Sequence, residues 1–144
     1  MVAFDLDGFK LINDQLGHQV GDAYLRARTM RCKAQLRAAY TFARLGGDEF
    51  IALLPEVANR ENAVTIAHKV AAAVQGANPV HALTNCCAAS MSVALYPVDG
   101  ESTDTPLARV DAAMYRAIAA GRNQIRCVGE LLTSEQNRQV SHEN

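Results

Sequence analysis

Arg44-Leu45-Gly46-Gly47-Asp48-Glu49-Phe50 is the stretch on which the reading of this chain turns. Tyr40-Thr41-Phe42-Ala43 precedes it, and Phe50-Ile51-Ala52-Leu53-Leu54 runs out of it. Both flanks are short, apolar and partly aromatic, as buried strands are. Gly46-Gly47 between them predicts a hairpin turn, because glycine takes positive φ without strain. Two carboxylates, Asp48 and Glu49, then sit side by side at the tip. Taken alone they also fit a solvated acidic turn, so the rest of the chain has to decide.

Upstream, Met1 to Asp7 reads as a short strand ending in acid, with Asp5 and Asp7 on one face by period-two alternation. Gly8 permits a sharp turn. Phe9 to Leu16 suits a short helix closed by Gly17, and Gly17 to Asp22 reads as a glycine-punctuated connection. A long helix is expected from about Asp22 to Ala38, with Leu25, Thr29, Cys32, Leu36 and Ala39 on one face. Downstream of the hairpin, Pro55 stops the second strand. Asn59 suits the N-cap of a helix through Gln75, striped by Ala63, Ala67, Val70 and Val74. Cys86 to Tyr96 reads as a strand, Thr103 to Ala120 as a helix closed by Gly121, and Gln124 to Val128 as a last strand. From Gly129 the chain turns polar and non-periodic. The expected organisation is an α+β domain over 1–128, a central mainly antiparallel sheet flanked by helices, with 129–144 as a tail or linker.

Composition agrees with one folded domain: 144 residues, 49% hydrophobic and 20% charged, enough for a real core. A net charge of -1 offers no basic field for a nucleic acid polymer. No apolar run approaches the roughly 20 residues of a membrane span, and Asp5 interrupts any signal-like start. Cys32, Cys86, Cys87 and Cys127 form no C-x-x-C pair. They read as buried free thiols of a protein in a reducing cytoplasm.

The motifs resemble, in order, those of the GGDEF family, the diguanylate cyclases. Gly46-Gly47-Asp48-Glu49-Phe50 is the family signature. Asp5-Leu6-Asp7-Gly8-Phe9-Lys10, running on to Asn13-Asp14, is similar to its D-x-D-x-F-K-x-x-N-D. Gly17-His18 with Gly21-Asp22 is similar to its G-H-x-x-G-D, and Gly121-Arg122-Asn123 to its closing G-R-N. The resemblance covers Val2 to about Val128. It implies a fold like the palm of nucleotidyl cyclases and a reaction that joins two GTP into cyclic di-GMP. Two GGDEF domains, each holding one GTP, would face each other.

The resemblance also assigns residues. Asp5, Asp48 and the backbone carbonyl of Leu6 would hold Mg²⁺ or Mn²⁺, ions that favour carboxylate, carbonyl and phosphate oxygens. Asp48 and Glu49 would serve catalysis, Glu49 as a supporting acid beside the Gly46-Gly47 turn. Gly8 and Phe9 would meet phosphate through the backbone, Lys10 and Arg122 through charge. Asn13 and Asp22 would read guanine, since a carboxylate accepts from N1–H and N2–H₂ and an amide both donates and accepts. The same two residues also suit helix ends, and His18 reads as structural.

Three departures bear on activity. Ile118 stands where the family carries a triphosphate-binding lysine. The resemblance leads one to expect a helix before the first strand, whereas the sequence as numbered starts inside that strand. The inhibitory product site R-x-x-D is here Arg37-Ala38-Ala39-Tyr40, which keeps the arginine and loses the carboxylate. Either a cyclase or a degenerate, GTP-binding regulatory domain is compatible with this pattern.

Overall fold

In the computed structural model, residues 1–76, 88–99, 108 and 121–128 are described. Their elements run β1 (Val2–Asp7), α1 (Phe9–Leu16), α2 (His18–Ala34), β2 (Thr41–Gly46), β3 (Glu49–Leu53), α3 (Arg60–Gln75), β4 (Ala88–Val93) and β5 (Ile125–Cys127). The five strands form one sheet in the order β2-β3-β1-β4-β5. All neighbours are antiparallel except β4 and β5, which run parallel. This is the expected α+β architecture. The expected helix over Thr103 to Ala120, apart from the single residue Ala108, the residues Cys86 and Cys87, and the tail 129–144 lie outside the described residues.

β1 is the central strand, and its alternation divides its side chains between two faces. Val2, Phe4 and Leu6 enter the main core with residues of α1, α2 and α3, while Ala3 packs with Ala94 and Val128. Asp5 and Asp7 follow Ala3 in that alternation and are half-buried. Beneath the hairpin, Phe4 stacks on Phe50 at 5.2 Å between ring centroids, and Phe42 lies 5.6 Å from Phe50. Burial of these rings, favoured by about 25 cal/mol per Å² of apolar surface removed from water, together with the ring contacts, fixes the strand register under the tip.

α3 forms as its sequence predicts. The Asn59 side chain accepts from the Asn62 amide at 2.8 Å, and Ala63, Ala67, Val70 and Val74 are buried. α2 differs at both ends. It starts directly after Gly17, whose φ of 85° lets the chain leave α1 and turn straight into the next helix. Gly21, read from sequence as part of a connection, lies inside α2. A Cβ there would collide with the Asn13 amide oxygen, so this glycine serves close packing of α1 against α2. The helix ends at Ala34, ahead of the predicted Ala38, because residues 35–40 must turn to bring Thr41 opposite Leu53. Its buried face is Gly21, Tyr24, Leu25, Arg28 and Cys32; Ala39 is exposed. Arg28 is buried at 1% exposure, donates to the Gly76 carbonyl at 2.8 Å and covers the Tyr24 ring. It thereby caps the C-terminal end of α3, where a cation is favoured.

Candidate active site

The site is built where β1 ends and the β2–β3 hairpin turns. The turn itself is Gly47-Asp48: Gly46 still belongs to β2 and pairs with Glu49. A register irregularity between Arg44 and Gly46 shifts the expected Gly46-Gly47 turn by one residue. Only Gly47 of the two has positive φ, 52°. Arg44 Nε donates to the Gly47 carbonyl at 2.8 Å and braces the loop.

Pairing of β1 with β3 puts Asp5 opposite Glu49, and the Leu6 amide donates to the Asp48 carbonyl at 3.1 Å. Backbone geometry therefore brings the Asp48 tip to the end of β1. The carboxyl groups of Asp5 and Asp48 lie beside each other in one cleft. Burial, then the neighbouring Asp48, then the charges of Asp7 and Glu49, push Asp5 up to about 7. Two carboxyl groups this close cannot both ionise freely. A cation beside them would relieve that conflict.

Beyond β1, Gly8 takes φ 79° and begins α1 with no side-chain cap and no acidic residue in the first turn. The first amides of α1 are therefore available to an anion at the positive end of the helix. Asp5, Leu6, Asp7, Gly8, Phe9, Lys10, Asp14, Asp48 and Arg122 line one cleft of about 460 Å³. The cleft carries carboxylates, which suit a metal, and two cations, Lys10 and Arg122, which suit a polyphosphate. Among the described residues no three His, Cys, Asp or Glu side chains gather into a closed metal cluster. The paired carboxylates still fit Mg²⁺, which takes one or two protein carboxylates and fills its octahedron with phosphate oxygens and water.

The proposed guanine readers are placed differently. Asn13 sits over Gly21, with its amide oxygen buried and without a hydrogen-bond partner. Asp22, one residue along α2, lines a second cleft with Leu25, Arg26, Thr29, Met30 and Arg44. Neither residue caps a helix with its side chain: Gly17 is the N-cap of α2, and Asp22 lies within the helix. An orphaned buried amide oxygen carries a cost that a donor on a ligand would remove. Arg37 is exposed, with its guanidinium 6.0 Å from the Tyr40 ring centroid. Ile118 lies outside the described residues.

Sequence reasoning gave Asp7 no role. Its Oδ1 accepts from Ser90 Oγ at 2.8 Å and its Oδ2 from the Asn123 amide at 3.0 Å. It joins the first motif to the last, a link that period-two alternation places on the right face but cannot reveal.

Comparison with known proteins agrees with this geometry. The sequence matches the family described as "Diguanylate cyclase, GGDEF domain" over residues 1–124. It is 42% identical over 119 residues to the bifunctional diguanylate cyclase/cyclic di-GMP phosphodiesterase MucR of Pseudomonas aeruginosa, covering 83% of this chain and 17% of MucR. It is 41% identical over 128 residues to the diguanylate cyclase TpbB of the same species, covering 85% of this chain and 28% of TpbB. The chain thus spans under a third of the length of these relatives. Among solved structures, a variant of TpbB comprising only the GGDEF domain superposes with TM-score 0.82 at 35% identity, covering 92% of this chain and 80% of that one. The active GGEEF domain of a diguanylate cyclase from Vibrio cholerae gives 0.70 at 31% identity, covering 88% and 78%.

Proposed function

Since the chain belongs to the GGDEF domain family of diguanylate cyclases, we propose that it is one catalytic half of a dimeric cyclase that condenses two GTP into cyclic di-GMP. The observation that carries this reading is the meeting of Asp5 and Asp48 in a cleft that also holds Arg122, Lys10 and the open N-terminus of α1. Residues 1–128 make up the domain, and 129–144 a tail or linker.

In the reaction, the 3′-hydroxyl of one GTP releases its proton to water as its oxygen bonds to the α-phosphorus of the other, the bond from that phosphorus to the bridging oxygen breaks, and pyrophosphate leaves. The step occurs twice per product. Asp5, Asp48 and the Leu6 carbonyl would hold a divalent ion, Mg²⁺ or Mn²⁺, which supplies Lewis-acid stabilisation of phosphoryl charge and a more acidic 3′-hydroxyl. The amides that open α1 at Gly8, Phe9 and Lys10 hold phosphate oxygens. Arg122 and the Lys10 ammonium neutralise the triphosphate. Asn13 and Asp22 hold the base on its Watson–Crick edge. Glu49, across from Asp5, supports the acidic end of the site. A second copy of the domain must supply the other GTP, because one cleft of this size presents one set of phosphate donors.

One observation favours a second reading, a GTP-binding regulatory domain without turnover. Ile118 replaces a lysine that the family places on the triphosphate. A lost charge-assisted contact costs about 1.5–3 kcal/mol, roughly ten- to a hundredfold in affinity. Product analysis after incubation with GTP and Mg²⁺ separates the two. The cyclase reading expects cyclic di-GMP from the parent and none from Asp48→Ala with its circular dichroism unchanged. Bound GTP without product, in the parent held as a dimer, selects the regulatory domain.

A further inference from the structure

Arg122 and Asn123 are consecutive side-chain-bearing residues in the left-handed region, with φ of 61° and 48°. Asparagine tolerates that region; arginine is poorly suited to it. Such a backbone persists where its surroundings over-determine it, and here they do. The Asn123 amide donates to Asp7 Oδ2 at 3.0 Å. The Asn123 side-chain oxygen accepts from Gln75 Nε2 at 2.9 Å. The next carbonyl, of Gln124, accepts from the Met91 amide at 2.8 Å and starts the β4–β5 pairing. Asp7 is itself fixed, because its other oxygen accepts from Ser90 Oγ, and Ser90 is 0% exposed on β4.

From this geometry we infer that Asp7 is a positioning residue for Arg122: it locks the strained turn that aims the guanidinium at the triphosphate end of the cleft. The inference rests on the cyclase reading for what Arg122 binds, and on the hydrogen bonds alone for how Arg122 is held. Charge and position make opposite predictions. Asp7 lines a cleft that receives a polyanion, so on charge alone its removal tightens nucleotide binding. As an anchor, its removal weakens it.

The test is a double-mutant cycle on the full 144-residue chain, with Asp7→Ala, Arg122→Ala and both together. The ligand is 3′-deoxy-GTP with Mg²⁺, which lacks the attacking hydroxyl, and binding is read by calorimetry. Amide hydrogen exchange at Asn123, without nucleotide, is read alongside. Asp7→Ala is expected to weaken binding about tenfold, the lower range for one charge-assisted contact. In the Arg122→Ala background it should change affinity by no more than about twofold, because the side chain it positions is gone. Exchange at Asn123 should speed up in Asp7→Ala. It should stay near the parent rate in Asp7→Asn, which keeps an acceptor for that amide and an amide donor for the Ser90 hydroxyl. Unchanged or tighter binding in Asp7→Ala, additive losses in the double variant, or unaltered Asn123 exchange each overturn the inference. Loss-free Arg122→Ala, or a parent that binds no nucleotide, overturns the assignment of Arg122 to triphosphate; Asn123 exchange then still decides whether Asp7 anchors the turn.

Discussion

The carboxyl groups of Asp5 and Asp48 lie beside each other at the end of β1, where burial and that neighbour push Asp5 up to about 7. An unfolded aspartate titrates near 3.8, so the folded chain holds an extra proton between those values. The stability this proton contributes is full below about pH 4 and is lost as pH rises through about 7. Thermal midpoints in the presence of chelator should therefore fall from about pH 5 to about pH 8 in the parent. In Asp5→Asn that part of the slope disappears. A parent whose midpoint runs parallel to the variant's across this window contradicts the pairing.

Guanine selectivity should depend on Asn13 and Asp22. Adenine presents no N1–H and no N2 amine, and would leave the Asp22 carboxylate facing an acceptor. An unmet polar group costs about 1–3 kcal/mol, which predicts GTP over ATP by roughly five- to a hundredfold. Gly21→Ala should erode this preference too, because its Cβ takes the place of the Asn13 amide oxygen. Competition binding of the two nucleotides checks both, and equal affinities in the parent would remove the assignment.

Arg60 and Asp99 form an ion pair at 2.8 Å with Asp99 1% exposed, and Asp99 also accepts from the Leu95 amide at 2.7 Å. This clamps the start of α3 to the segment after β4. Arg60→Ala strands a buried carboxylate and should cost about 3 kcal/mol, the lower bound for such a break, since the Leu95 amide remains as a partner. Urea denaturation gives the value. A loss under about 0.5 kcal/mol, the usual limit for surface changes, would show that the pair carries no weight.

Much of this fold is legible in the sequence where one local signal dominates. Asn59 and the Ala63, Ala67, Val70, Val74 stripe mark α3 correctly, because cap chemistry and period agree. The hairpin and its acidic tip are likewise plain in the apolar flanks. α2 was harder. Gly21 carries the same local signal whether it opens a loop or admits a neighbouring side chain, and only the packed Asn13 shows which. Arg28, which the sequence does not single out, is buried because the C-terminal end of α3 lies within its reach. The convergence of Asp5 and Asp48 follows from strand pairing that the motif order suggests. The packing of Asn13 against Gly21, one residue from Asp22, and the bond from Asp7 to Asn123, depend on tertiary geometry that spacing does not encode.

Feedback by product at Arg37 should be weak. Tyr40 stands where the family has an aspartate, and the Arg37 guanidinium lies 6.0 Å from its ring. Arginine retains affinity for a phosphate or a base, but without a carboxylate the site loses an acceptor for guanine. Cyclic di-GMP titration of parent and Arg37→Ala should give similar weak curves. Tight binding that vanishes in Arg37→Ala would show that Tyr40 leaves the site working.

If this cleft is half of a cyclase, the dependence of rate on protein concentration reveals it most directly. The chain is incubated with GTP and Mg²⁺ over a wide range of its own concentration, and cyclic di-GMP and pyrophosphate are counted. A half-site predicts two pyrophosphates per cyclic di-GMP. The rate per molecule should be low when dilute, rise with concentration, and rise steeply on fusion to a dimerising helix, which raises the local concentration of the partner cleft. Product formed by the dilute chain at a rate per molecule independent of concentration would contradict the two-domain account. Saturating GTP with no product in the fused dimer would contradict the cyclase itself.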